Sequence, residues 1–173
     1  MNRAPLRLAP LDAAHDRAKF NCGSEPLDRY LREQVTQDVR RRVAACFVAL
    51  ADGHRIAGYY TLASASLLLA DLPASAGKKL PRYPTVPAVR MGRLAVDQAF
   101  KGRGLGGALL ADALDRAARS QIAAYALMVD AKDEAAVAFY LHHGFIALPG
   151  SPHTLFLPLA TVLPTRKTDN KAR

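Results

Sequence analysis

Apolar positions along this chain fall into short periodic runs. Leu6-Arg7-Leu8 alternates and predicts a short first strand. Ser24 stands before Glu25-Pro26, and Leu27, Tyr30, Leu31 and Val35 then recur at helical spacing. A capping residue ahead of that spacing predicts a helix of about four turns starting near Pro26. Val43 to Ala51 is apolar and partly β-branched, Asp52-Gly53 follows, and Ile56 to Leu62 is apolar again. Two such runs around Asp-Gly predict a β-hairpin. Residues 71–87 carry Pro73, Pro81, Pro84 and Pro87, and predict an extended loop.

The second half has a different rhythm. Val89 to Val96 predicts a strand, with Gly92 as a bulge. Leu105, Leu109, Ala113, Leu114 and Ala117 share one helical face, so a helix follows Gly104. Ala123 to Val129 is long enough for a buried strand. Asp133 to His142 reads as a helix with Ala136, Val137, Phe139, Tyr140 and Leu141 on or near its apolar side. Phe145 to Leu148 and Thr154 to Leu159 predict two last strands. A hairpin-containing front half followed by strand–helix–strand–helix–strand predicts a three-layer α+β (α/β) domain.

Composition narrows this picture. The chain has 173 residues, half of them apolar, which suits one domain and excludes disorder. Cys22 and Cys46 are its only cysteines, so a disulfide scaffold is excluded. The weakly polar run Tyr59 to Ala70 is too short and too rich in Ser and Ala to cross a bilayer. No continuous apolar stretch follows Arg3 and Arg7, so no signal peptide is expected. These features predict a soluble, cytoplasmic protein without membrane association.

Charge adds more. Lys and Arg number 24 against 15 Asp and Glu, a net charge of +9. Residues 78–103 hold Lys78, Lys79, Arg82, Arg90, Arg93, Lys101 and Arg103 against Asp97 alone. Residues 166–173 hold Arg166, Lys167, Lys171 and Arg173 against Asp169. The terminal group reads as a solubilising tail. The internal one leads into a motif with chemistry, and such a concentration attracts polyanions.

That motif runs from Arg93 to Gly107: a strand leads into Lys101-Gly102-Arg103-Gly104-Leu105-Gly106-Gly107, which opens a helix. A helix start offers unpaired N–H groups and about half a positive charge, suited to phosphate. Glycines let the backbone approach a ligand, and Lys101 and Arg103 add charge beside it. By its physics this is a pyrophosphate cradle. Gly102-x-Gly104-x-x-Gly107 also fits a dinucleotide fingerprint, with Asp130 beyond it. However, its glycines start late after the strand and too few strand–helix units follow. No Gly-Lys-Ser/Thr completes a Walker A loop, and no Gly-x-Ser-x-Gly elbow marks a serine hydrolase. His142-His143 has no metal-ligand spacing, so no metal is expected. Neither cysteine has a Cys-His signature for a thiol nucleophile.

The sequence resembles the GNAT acetyltransferases. Lys101-x-x-Gly104-x-Gly106 looks like their acyl-CoA loop, Leu94-Ala95-Val96 like the strand before it, and Phe139-Tyr140-x-x-x-Gly144-Phe145 like their second signature. The position commonly Asn ahead of that signature is Asp133 here. Within the family the chain is similar to the toxins of bacterial toxin–antitoxin pairs. The resemblance there is carried by Phe20-x-Cys22-Gly23, Leu27-Asp28-x-Tyr30-Leu31, Gly58-Tyr59-Tyr60-Thr61-Leu62, Lys79-Leu80-Pro81-Arg82-Tyr83-Pro84, Gly92 to Asp97 and Val129 to Asp133.

The resemblance implies a mixed, mainly antiparallel sheet flanked by helices, with a splayed central strand pair, over residues 1–163, and a basic tail at 164–173. It implies that Leu94, Ala95, Val96, Lys101, Gly102, Arg103, Gly104, Leu105, Gly106, Gly107, Asp133 and Phe139 hold acetyl-CoA, and that Tyr140 is the general acid. The implied acceptor is the α-amino group of aminoacyl-tRNA. Lys78, Lys79, Arg82, Arg90 and Arg93, more cations than coenzyme A requires, would meet its phosphates. The implied partners are a ribbon-helix-helix antitoxin and a second copy of the chain, as a homodimer. An acetyltransferase for a small amine or protein N-terminus, and a non-catalytic acetyl-CoA-binding module, stay open as alternatives at this point.

Overall fold

The computed structural model describes residues 6–162. The basic tail expected at 164–173 lies outside them. The front half contributes β1 (Arg7–Pro10), α1 (Glu25–Arg29), α2 (Val35–Arg40), β2 (Ala45–Ala51) and β3 (Arg55–Leu68). A π-turn, Tyr30–Gln34, joins α1 to α2 without a break, giving the four-turn helix that the spacing predicts. Ser24 occupies its N-cap position, with its carbonyl accepting the Asp28 N–H at 3.0 Å. The Asp52-Gly53 turn closes β2 onto β3 with both residues at positive φ.

The second half contributes α3 (Ala74–Gly77), β4 (Thr85–Val96), α4 (Leu105–Arg119), β5 (Ala126–Asp130), α5 (Glu134–His142), β6 (Ile146–Leu148) and β7 (Ser151–Pro158). All strands join one sheet in the order β1-β2-β3-β4-β5-β7-β6. Every pairing is antiparallel except β4 with β5.

The sheet is covered on both faces. Tyr60, Ala57 and Met91 pack with Leu105, Leu109, Leu110 and Ala113 of α4 and with Tyr140 of α5. Tyr59, Ile56, Val48 and Leu50 pack on the opposite side with Tyr30, Leu31 and Val35 of the first helix. Adjacent Tyr59 and Tyr60 point oppositely because strand side chains alternate. Both are fully buried, and each ring ends in a hydrogen bond: Tyr59 Oη donates to Leu27 O at 2.7 Å, and Tyr60 Oη to Asp112 at 2.5 Å. The first ties β3 to α1 and the second ties it to α4. A third core under residues 69–80 joins Leu67, Leu72, Val86 and Phe156.

Two strands exceed their sequence-based expectation. β4 begins at Thr85, inside the segment expected to be loop, despite Pro87. The Leu69 N–H donates to Pro84 O at 3.0 Å, which sets the ladder phase. Alternate residues face β3, so Pro87 turns its missing N–H away from that ladder and gives its carbonyl to Tyr125 N–H at 2.8 Å. β3 likewise runs on through Ala63–Leu68, whose small residues have little strand preference of their own, because β4 pairs with it throughout. Leu141, placed near the apolar side of its helix, is 49% exposed. Among the described residues, no helix is long and apolar enough to cross a membrane.

Candidate active site

The centre of the sheet opens where Gly92 interrupts β4. Thr61 pairs with Arg93 and Leu62 with Met91, so Gly92 is the bulge the sequence predicts. The parallel pairing of β4 with β5 ends at Met91 with Val129. Beyond it β5 pairs with β7 alone, Asp130 opposite Thr154. Residues 92–96 therefore keep β3 on one edge and no strand on the other.

The phase of the ladder decides which groups face that gap. Asp97 N–H donates to Ala57 O at 2.8 Å, toward β3. Alternation then turns Ala95 toward β3 and points the backbone N–H and C=O of Leu94 and Val96 into the opening. These are polar groups held straight, at fixed spacing, beside an apolar cleft. They suit the amides of an extended arm.

The cleft has a volume of about 650 Å³. Met91, Gly92, Arg93 and Leu94 form one wall, and Ser24, Pro26 and Leu27 at the start of α1 form another. Asp130, Lys132, Asp133, Ala136, Phe139 and Tyr140 close the far side. Tyr140 is 8% exposed, and Phe139 and Phe145 pack around its ring with centroids at 5.2 and 5.4 Å. Among the described residues its hydroxyl makes no hydrogen bond, yet no fully buried side-chain polar atom lacks one. The hydroxyl therefore reaches the cleft. Burial pushes its pKa up to about 12. Asp133 caps α5, accepting the Ala136 N–H at 2.8 Å.

Beyond the open edge, Asp97 holds a short 3₁₀ turn by accepting Ala99 N–H, and Lys101 to Gly104 then enter α4. Gly102 and Gly104 have φ of +77° and +76°, with open space where a Cβ would stand. No side chain caps α4, so its first N–H groups stay available at the positive end of a 15-residue helix. Gly106 and Gly107 have another setting. A Cβ on Gly106 would touch the Phe139 ring at 3.7 Å, and one on Gly107 would press His143 at 3.1 Å. The two sequence motifs thus meet, glycine helix start against aromatic helix.

The predicted basic residues scatter. Lys101 Nζ donates to Cys22 O at 2.8 Å, fixing the loop before α1 to the glycine segment. Asp97 reinforces this clamp by accepting Asn21 N–H at 3.0 Å. Arg103 lies 5.5 Å over the Phe100 ring and, with Gly104 and Leu105, borders a separate hollow of about 540 Å³. Arg93 lines the cleft with its guanidinium 3.5 Å over Tyr30, whose hydroxyl donates to Asp38 at 2.8 Å. Arg90 pairs with Asp130, which also accepts from Thr154 Oγ1 at 2.9 Å. Lys78, Lys79 and Arg82 lie exposed at the far end of the β3–β4 hairpin.

A splayed parallel pair, a glycine-led helix start and a tyrosine between them describe one kind of acyl-transfer site. The acetyltransferase (GNAT) family matches residues 10–145. The chain belongs to the GNAT acetyltransferase family. It is similar to a tRNA-acetylating toxin of Mycobacterium tuberculosis, with 38% identity over 89% of this chain and 90% of that one. Its fold matches AtaT complexed with acetyl-methionyl-tRNAfMet at a TM-score of 0.85, with 32% identity over 91% of this chain and 96% of that one. A Tyr-to-Phe mutant of the AtaT toxin, bound to the C-terminus of the antitoxin AtaR and to acetyl-CoA, matches at 0.78, with 26% identity over 92% and 96% of the two chains.

Sequence reasoning about this GNAT enzyme missed three groups: the Ser24–Leu27 wall, the Arg90–Asp130–Thr154 cluster and the Tyr30 shelf under Arg93. Leu27-Asp28-x-Tyr30-Leu31 was a visible signal for the first and third. Nothing local announced the second, whose members lie on β4, β5 and β7.

Proposed function

We propose that this protein is an acetyl-CoA-dependent N-acetyltransferase that acetylates the α-amino group of aminoacyl-tRNA. It thereby blocks translation as a toxin and is restrained by an antitoxin. The observation that carries this reading is the open edge of β4, flanked by the α4 start and the Tyr140 hydroxyl.

In this reading Leu94 and Val96 hold the pantetheine arm by their backbone groups. The turn from Lys101 to Gly104 and the first amides of α4, at Leu105 to Gly107, face the pyrophosphate. Arg103 supplies charge there, while Lys101 acts mainly by keeping the Asn21–Ser24 loop in place. Phe139 and Asp133 shape the cleft around the thioester. A backbone N–H of β4 near Leu94 polarises the carbonyl, a contact type worth a few kcal/mol in other acyl transfers.

The neutral amine attacks the thioester carbonyl, a C–N bond forms and the C–S bond breaks. Nitrogen loses one proton and sulfur gains one, so the reaction balances. Burial holds the Tyr140 hydroxyl at about 12, above a free thiol near 8.5, so a resting phenol does not hand its proton outright to a free thiolate. Tyr140 therefore acts as a hydrogen-bond donor to the developing negative sulfur. It gives its proton to sulfur only as the C–S bond breaks and regains one from the attacking nitrogen, so the two transfers balance. An α-amino group has a pKa near 8 or lower, so about a tenth or more of it is already neutral at pH 7 and it needs no strong base.

Lys78, Lys79, Arg82 and Arg93 position the acceptor by its phosphates, without reading sequence. Arg90 contributes less, since Asp130 already faces it. The test is a cell-free translation reaction containing the purified protein and radiolabelled acetyl-CoA. Protein synthesis stops and label enters the tRNA fraction. Continued synthesis with unlabelled RNA would remove the proposal.

A further inference from the structure

The β3–β4 hairpin ends beside an aromatic ring for which the fold has no use. Tyr83 is 71% exposed, and it is the one exposed aromatic residue among those described. It stands between Arg82 and Pro84 on the rim of a hollow of about 750 Å³, with Lys78 and the half-exposed Leu68 beside it. The loop that carries it is pinned. Leu69 N–H bonds Pro84 O, Leu80 N–H bonds Gly77 O at 3.1 Å, and Leu72 is buried beneath. Lys78, Lys79 and Arg82 are exposed, and none belongs to an ion pair among the described residues.

We propose that Tyr83 is a stacking platform for an unpaired base of the RNA acceptor, with Lys78 and Arg82 meeting the flanking phosphates. This rests on the aminoacyl-tRNA reading above. An exposed ring on a pinned loop among unpaired cations is the combination that holds single-stranded nucleic acid, since every base has a π-face and every nucleotide a phosphate. The charge also selects the partner. A second copy of this chain would bring the same basic surface against itself, whereas a polyanion is complementary.

Location separates this platform from the chemistry. Thr85 to Met91 spans about 20 Å of extended strand, so Tyr83 lies far from any small acceptor confined to the cleft. It touches the body of a long acceptor.

The experiment uses the full chain and steady-state acetylation of charged tRNA at several salt concentrations, with an amino-acid methyl ester as a small acceptor. Tyr83→Ala should raise KM for charged tRNA between about fivefold and 150-fold, the range for losing one base–aromatic stack. The KM for acetyl-CoA and turnover of the ester should not move, and Tyr83→Phe should behave as wild type. The salt slope should stay the same in Tyr83→Ala and flatten by about one in Arg82→Ala. An unchanged KM for charged tRNA in Tyr83→Ala overturns the platform, and so does a Tyr83→Phe defect equal to that of Tyr83→Ala. Loss of antitoxin binding with tRNA kinetics intact overturns it in favour of a protein surface. If the wild type acetylates the ester but not charged tRNA, the aminoacyl-tRNA reading fails instead. Binding of a short single-stranded RNA to wild type and Tyr83→Ala then decides the platform alone.

Discussion

In the proposed mechanism the chemistry falls on one hydroxyl, that of Tyr140. Removing it leaves the ring, its packing on Phe139 and Phe145, and the open edge of β4 untouched. Tyr140→Phe should therefore lower turnover by about 10²- to 10⁴-fold, the usual range for a lost proton-transfer group. Calorimetry should find acetyl-CoA affinity nearly unchanged. The pH profile carries a second expectation. A phenol raised by burial keeps its proton below its folded pKa and loses it only as pH climbs through about 12. Turnover should rise with pH as the acceptor amine deprotonates near 8 and then stay level to about pH 10. A fall between pH 8 and 10 would show another acid at work. The sequence singled out Tyr140 through its motif but could not reveal the fate of the charges. Lys101 reads as a phosphate ligand, and the fold adds a contact that nothing local announces, Cys22 O at 2.8 Å across 79 positions. Arg90 reads as free until β5 brings Asp130 alongside.

At the scale of elements, the site depends on two local departures from regularity. The bulge at Gly92 ends the parallel pairing, and the left-handed turn at Gly104 launches α4 with its amides uncapped. Both were legible, since glycine inside a strand and glycine before an apolar helical face are direct signals. The extent of β4 was not legible, because Pro87 says loop until its nitrogen is seen to face away from the β3 ladder. Gly104→Ala tests the turn. Nothing crowds a Cβ there, so the penalty is backbone strain alone, roughly 1–2 kcal/mol. Urea unfolding should show that loss, and acetyl-CoA should bind more weakly as the turn relaxes. Gly107→Ala acts differently: its Cβ would meet the exposed His143 ring at 3.1 Å, which has only to yield by a few tenths of an ångström, so turnover and acetyl-CoA affinity should both stay close to wild type.

Across the whole molecule the positive charge divides by task. On the proposed reading the glycine loop takes acetyl-CoA, and the hairpin end and Arg93 take the acceptor. With Arg90 offset by Asp130, four cations remain for acceptor phosphates: Lys78, Lys79, Arg82 and Arg93. Four contacts predict a log–log dependence of the tRNA specificity constant on salt with a slope between about −2.8 and −3.6. Kinetics on a small ester should stay nearly flat over the same range. The most direct measurement follows the acetyl group itself. Purified protein, acetyl-CoA and a charged tRNA pool are incubated, the RNA is digested with nuclease, and the terminal aminoacyl-adenosine is analysed by mass spectrometry. An acetyl group on the amino nitrogen, absent when Tyr140→Phe replaces the wild type, is the result this account predicts. Unmodified aminoacyl-adenosine from an enzyme that binds acetyl-CoA would contradict it.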